Sequence, residues 1–230
     1  MGRYTGPKLK IIRRLGVLPG FTRKEMKNRL LSPGQHGKRK LSLVKQKRFS
    51  LSDDYKYRLI EKQKVRYNYG IRHNQLTRYY QLSKTFKGIT GYILLNFLES
   101  RLDCLLYRIG FAKTIPSARQ YINHCHVLVN KKKVTIPSFF CEKKDTISLK
   151  KNSRIRKLVK QTYTFFSEKR SGIKKRMKKV NYTKMRPGVL LPDYLKVNKK
   201  LLVAKIIGKI KRKDISLKIN EQKIVEYYSR

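Results

Sequence analysis

Two stretches of this chain combine the absence of any carboxylate with a crowd of cations and turn-forming residues. From Met26 to Ser52, and again from Lys169 to Pro187, Lys and Arg accumulate with Gly, Pro and Ser and nothing offsets their charge. Segments of this kind cannot condense into a core, because like charges repel and too little apolar surface is available to offset the loss of chain entropy. The folded parts must lie outside them, and the charged stretches must find their counter-charge elsewhere. Over 230 residues, 59 Lys plus Arg against 13 Asp plus Glu leave a net charge of +46, about one uncompensated cation for every five residues. An excess of that size implies a polyanion partner, and nucleic acid is the simplest one. With 40% hydrophobic residues, the chain can still hold one or two modest cores.

The apolar runs are short, as in Ile93 to Leu95 and Leu201 to Ala204, whereas a membrane span needs about 20 apolar residues. No membrane association is expected. Arg3 and Lys8 are followed by no apolar h-region, so a secretory signal is not expected either. Three cysteines, Cys104, Cys125 and Cys141, with no Cys-x-x-Cys spacing, argue for a reducing compartment and against both a disulfide framework and a cysteine-built zinc finger. The cluster His124-Cys125-His126 would need Cys104 or Cys141 to complete a metal site, and neighbours on a strand point to opposite faces. No metal and no cofactor are expected.

The first 51 residues read as a basic, extended arm with at most short helices. From Ser52, a capping residue followed by Asp53 and Asp54, a helix is expected to about Lys64. Gly70 breaks the pattern, Ile71 to Ser83 resumes it, and a further helix covers about Thr90 to Phe97. Leu102, Leu105, Leu106 and Ile109 then fall at i, i+3, i+4 and i+7, a single apolar helical face that Gly110 ends. Thr114 is a plausible N-cap for a second helix, with Pro116 in its first turn and Ala118, Tyr121 and Ile122 on its inner side. Val127 to Val129 forms a strand, Asn130 to Lys133 a tight basic turn, Val134 to Ile136 a return strand, and Thr146 to Leu149 a third strand. After Asn152 a charged helix is expected through Leu158 to Phe166. The fold class is α+β: a helical N-terminal domain with an extended basic arm, then two helices packed on a short antiparallel sheet, then a basic C-terminal region.

Four fragments, Glu99-Ser100-Arg101-Leu102-Asp103, Tyr107-Arg108-Ile109-Gly110-Phe111, Ala118-Arg119-Gln120 and His126-Val127-Leu128-Val129-Asn130, follow in order and spacing the RNA-binding module named after small-subunit ribosomal protein S-four. Several families carry that module. The flanks Arg3-Tyr4-Thr5-Gly6-Pro7, Arg13-Arg14-Leu15-Gly16, Glu61 to Arg66, Tyr69-Gly70 and Ile219 to Ser229 resemble the S-four family itself, so the resemblance covers nearly the whole chain. Gly88-Ile89-Thr90-Gly91, Thr114 to Gln120 and Ile136-Pro137-Ser138 look most like plastid-encoded members. The family motif starts at the N-terminus and leaves no room for a transit peptide, which fits synthesis inside a chloroplast.

The resemblance implies a structural constituent of the small ribosomal subunit. In that role the protein is a primary rRNA binder that holds a multi-helix junction and nucleates assembly of the subunit body. It would lie near the mRNA entrance channel beside neighbouring ribosomal proteins, notably S-five, influence decoding accuracy, and not form a homo-oligomer. The expected division is an arm over 1–51, a helical domain over 52–98, the RNA-binding module over 99–163, a basic flexible segment over 164–189, and a segment over 190–230 that packs on the helical domain. The cysteine cluster that holds an N-terminal zinc in some relatives is missing here. Lys131 stands where relatives usually have Gly in the hairpin turn; a left-handed Lys costs about 1 kcal/mol, which favours a longer turn or one of another type.

Within the module, phosphate contact is expected from Arg119, Lys131, Lys132 and Lys133, with Arg101, Gln120, Asn123 and His124 as secondary candidates. Outside it the expected contacts are Arg3, Lys8, Arg13, Arg14, Lys38, Arg39, Lys62, Lys64 and Arg66. For any one of these the plain alternative is a solvated surface charge. Affinity from phosphates implies that log affinity falls with log salt at a slope near −7 if about eight are neutralised. The Arg and Tyr interleaving of Arg66-Tyr67 and Arg78-Tyr79-Tyr80 could stack on bases, but packing of the rings is the ordinary use. No catalytic residue is expected. Glu99 and Asp103 read as partners of Arg101 or Arg108, and Arg101-Leu102-Asp103 only superficially matches the tripeptide of pseudouridine synthases, whose Gly and Thr context is missing. A non-specific RNA chaperone is the remaining alternative that charge alone allows.

Overall fold

A computed structural model of the chain describes residues 4–24, 31–34, 51–161, 191–198 and 201–229. The expected contacts Arg3, Lys38 and Arg39, and the basic stretch Lys169 to Pro187, lie outside the described residues. Two compact units emerge: residues 1–98 with 217–230, and residues 99–216.

The first unit is helical. Helices α1 (Lys8–Leu15), α2 (Leu51–Tyr69), α3 (His73–Lys84), α4 (Thr90–Glu99, whose last residue belongs to the second unit) and, from the C-terminus, a helix over Glu221–Tyr228 make up this unit. Helix α2 begins at Leu51, so Ser52 lies within it, and it runs on to Tyr69 rather than ending near Lys64. Gly70 separates α2 from α3 with φ +60, the left-handed conformation that glycine adopts without cost. The start of the chain is not all extended arm. Ile12 and Leu15 of α1, with Leu18 and Phe21 beyond it, are buried, and the Gly20 amide donates to Asn68 Oδ1 at 2.9 Å. These residues are apolar at helical spacing, and that outweighs the surrounding charge.

The C-terminal helix packs on α2 and α3. Asn220 caps it, its side chain accepting from the Lys223 amide while its own amide donates to Glu61 Oε2 at 3.1 Å. Tyr228 stacks on Tyr80 with ring centroids 4.8 Å apart. Tyr67 meets Tyr4 and Phe21 edge-on. For Tyr67 and Tyr80, ring packing is therefore the observed use.

The second unit holds helices α5 (Leu102–Ile109) and α6 (Ile115–Asn123), a helical stretch over 154–161, and a five-stranded antiparallel sheet. Its strands are β1 (Val127–Val129), β2 (Lys132–Lys133), β3 (Thr146–Leu149), β4 (Leu195–Asn198) and β5 (Val203–Ile206), in the order β2-β1-β3-β5-β4. Gly110 ends α5 at φ +87, and Thr114 caps α6 by accepting from the Ser117 amide. Val127, Val129, Ile147, Leu149, Leu195, Ala204 and Ile206 make the inner face of the sheet. They form one core with Leu102, Leu105, Leu106 and Ile109 of α5, Ala118 and Ile122 of α6, and Ile155 and Val159.

Two expectations are corrected here. The return strand is Lys132–Lys133, not Val134 to Ile136: Val129 pairs with Lys132 and Leu128 with Lys133, and Ile136 is exposed. The segment expected to pack on the helical domain is divided: the described residues of 191–216 belong to the second unit. Strands β4 and β5 extend the module's sheet, with β5 pairing with β3 through Thr146–Lys205, Ile147–Ala204 and Ser148–Val203. The physical reason is the free edge of β3, whose unpaired amides and carbonyls need a partner. Only Leu217 onward returns to the helical unit.

Candidate nucleic-acid interface

The hairpin tip is a two-residue turn. Asn130 and Lys131 both have positive φ, +50 and +65, as a type I′ turn requires. Neither a longer turn nor one of another type, the two outcomes expected from the sequence, is formed. Asn130 is held by three bonds: its side chain donates to Asp145 Oδ1 at 2.8 Å and accepts from the Thr146 amide at 2.9 Å, and its own amide donates to the Thr146 carbonyl at 2.9 Å. That anchorage lets Lys131 occupy the left-handed position despite its side chain. Lys131, Lys132 and Lys133 are all exposed.

Gln120, Asn123 and His124, at the end of α6, are exposed as well. His126 is half-buried, its Nδ1 3.0 Å from Ser153 Oγ, and burial, then His124 and Lys150, lowers its pKa. The hairpin tip and the end of α6 each present exposed donors that can meet phosphates and 2′-hydroxyls.

Two expected contacts are buried and not free to serve, and a third is partly engaged. Arg101 is 1% exposed, and its Nε and Nη2 donate to Asp103 Oδ1 and Oδ2 at 3.0 and 2.9 Å. Burial and this bidentate pairing make it structural, not a phosphate ligand. Lys62 is 5% exposed; its Nζ donates to Tyr227 Oη at 3.0 Å and lies over that ring, and desolvation, then Arg66, lowers its pKa. Arg119, singled out most strongly from the sequence, is half-buried, with Nε donating to Asp103 Oδ2 at 2.7 Å.

The remaining expected contacts are mixed. Arg14 is exposed, Lys8 lies over the Phe21 ring, and Arg13 Nε donates to the Leu31 carbonyl at 2.8 Å. Lys64 pairs with Glu61 at 2.6 Å, and Arg66 Nη1 donates to Gln63 Oε1 at 3.2 Å. Two exposed lysines on the module, Lys196 and Lys205, were missed, because the alternation of Leu195-Lys196-Val197-Asn198 and Val203-Ala204-Lys205-Ile206 was not read as strand.

Glu99 accepts two bonds from Arg108, one at 2.8 Å from Nε, and a third from Cys104 Sγ at 3.3 Å, while Arg108 Nη1 donates to Ser216 Oγ at 2.8 Å. Both carboxylates of the apparent acid pair thus neutralise buried arginines. Burial and the Glu99 carboxylate hold the Cys104 thiol well above its ordinary pKa. Among the described residues, no three His, Cys, Asp or Glu side chains come together as a metal site, and no helix is long and apolar enough to cross a membrane.

A basic hairpin and a helix end on a small α+β module define a class: proteins that bind RNA through an S4-type domain. Residues 100–147 match the S4 domain family, and residues 3–99 match the ribosomal protein S4/S9 N-terminal domain. Small ribosomal subunit protein uS4c of Oltmannsiellopsis viridis is 43% identical over 230 residues, covering 100% of both chains. Its counterpart in Chlorokybus atmophyticus is 45% identical over 230 residues, covering 100% of this chain and 99% of its own. Small ribosomal subunit protein uS4 of Thermosynechococcus vestitus is 41% identical over 231 residues, covering 100% of this chain and 99% of its own. The chain belongs to the uS4 family of small ribosomal subunit proteins, and is a structural ribosomal constituent rather than an enzyme.

Proposed function

We propose that this protein is a primary rRNA binder of the plastid small ribosomal subunit, which grips several RNA helices at one junction and nucleates assembly of the subunit body. The observation that carries this reading is the exposed Lys131-Lys132-Lys133 tip on an anchored type I′ turn, close in sequence to the exposed end of α6. Fixed cations read the spacing of phosphates, which is how a protein selects among A-form helices whose deep groove hides the base edges. The uS4c relatives support a plastid location, in keeping with the plastid-type motifs. Contact with protein S-five, a place beside the mRNA entrance and an effect on decoding accuracy follow from the family resemblance.

Competition binding tests the reading. The full chain should prefer its rRNA junction over random duplex at physiological salt, with a log–log salt slope near −7 for about eight phosphates, and replacing Lys131, Lys132 and Lys133 by Gln should flatten that slope by about 2 to 2.7. Equal affinity for junction and random duplex would identify a non-specific RNA chaperone instead.

A further inference from the structure

We propose that the outer face of the five-stranded sheet is a second RNA-backbone contact surface, continuous with the hairpin tip and centred on Lys196 and Lys205. Residues directly opposite one another in an antiparallel pair share a face. The register therefore lays Lys133, Leu128, Ser148, Val203 and Asn198 in one row across all five strands, with Thr146, Lys205 and Lys196 in a second row. Neighbouring strands lie about 4.8 Å apart, so the face spans roughly 19 Å from β2 to β4.

Its chemistry points to a polyanion. Lys196 and Lys205 are directly opposite each other and both are exposed, an arrangement that destabilises a sheet unless an anion lies between or above the two ammonium groups. The strand residues of this face include no carboxylate, and among the described residues none of Lys133, Lys196 and Lys205 forms an ion pair. Thr146, Ser148 and Asn198 add hydroxyl and amide groups suited to phosphate oxygens and 2′-hydroxyls. No strand residue of the face is aromatic, so it reads backbone and does not stack on bases. Only Leu128 and Val203 are apolar, too few for the apolar centre of a protein interface.

The inference rests on RNA being the ligand of this chain, and the test separates the two. Full-length wild type is compared with Lys196→Gln/Lys205→Gln, with Lys196→Glu, and with the hairpin control Lys131→Gln/Lys132→Gln, using transcribed small-subunit rRNA across a salt series. The sheet double variant should bind roughly 10- to 30-fold more weakly near physiological salt, with a slope flatter by about 1.5 to 2. Lys196→Glu replaces a like-charge pair by an opposite one, so the free protein should melt at or above the wild-type temperature while binding RNA more weakly. If the hairpin control loses affinity and the sheet variant does not, this inference is overturned and the RNA reading stands. If neither loses affinity, both are overturned. A sheet variant with unchanged RNA binding that no longer enters small subunits would mark the face as a protein contact, which also overturns the inference.

Discussion

Arg119 Nε donates to Asp103 Oδ2 at 2.7 Å, and Asp103 is a carboxylate that Arg101 already grips through both oxygens. One buried acid therefore joins the chain before α5, the start of α5 and the middle of α6. The arrangement gives Arg119 a fixed direction and gives Arg101 a counter-charge within a core where it is 1% exposed.

The two partners should differ in cost. Asp103→Asn leaves a buried guanidinium without a full counter-charge and should cost about 3 to 5 kcal/mol. Arg119→Gln leaves the Arg101 pair intact and should cost about 1.5 to 3 kcal/mol, the range of a charge-assisted hydrogen bond. Urea denaturation of both variants measures this, and equal costs would contradict the shared-carboxylate account.

Lys131→Gly should stabilise the free protein. Lys131 sits at φ +65, where a Cβ costs about 1 to 2 kcal/mol and glycine nothing. A gain of about 1 kcal/mol in unfolding free energy is expected together with weaker RNA binding, because the same change removes a cation from the tip. A gain in both would show that Lys131 makes no phosphate contact.

Gly91→Ala should loosen the C-terminal helix. A Cβ at Gly91 would come 2.9 Å from the Glu221 Cβ and 3.5 Å from its carbonyl oxygen, at the first turn of that helix. Overpacking of this kind costs about 1 to 3 kcal/mol. Hydrogen exchange of the amides over 221–228 should rise, and unchanged protection would mean that the helix shifts freely.

Thiol labelling should be ordered. Cys104 and Cys141 are buried, and burial holds the Cys104 thiol far up and that of Cys141 at about 12, so neither supplies thiolate at neutral pH. Cys125 is partly exposed. Iodoacetamide should modify Cys125 in the folded protein and the other two only on unfolding, as read by mass spectrometry.

Acid should weaken the RNA-binding unit. Burial, with His124 and Lys150 nearby, lowers the pKa of His126 below 6.5 in the folded state, so the unfolded chain binds the proton more readily. Its contribution is present above pH 6.5 and is lost as pH falls through the folded value. An NMR titration of His126 should find a midpoint below that of a free histidine, and His126→Gln should flatten the acid side of the stability curve. His73 shifts in the same direction, so the comparison is with the His126→Gln variant rather than with a flat baseline.

Short-range signals were readable from the residues alone. Leu102, Leu105, Leu106 and Ile109 announced α5, Gly110 its end and Thr114 the start of α6, because spacing, left-handed backbone and capping act within a turn or two. The exposed tip Lys131 to Lys133 was legible for the same reason. Arg101 and Lys62 were misread as RNA contacts because a basic residue in the sequence carries no mark of the carboxylate or aromatic ring that will cover it. Arg101 folds back on a residue two positions away, whereas the Lys62 partner, Tyr227, lies 165 residues on.

Local chemistry was thus enough to establish a polyanion-binding protein, the helices of its module and the basic hairpin. Packing in three dimensions had to assign the destination of residues 190–216, whose short alternating runs suit either an edge strand or a surface segment. The open edge of β3 settled it, because unpaired backbone groups draw in any strand of matching alternation regardless of its distance in the chain. It also sorted the +46 excess into cations consumed inside the fold, such as Arg101, Arg108 and Lys62, and cations left facing outward. Charge can be counted along a chain, but whether a given cation is available depends on its neighbours after folding.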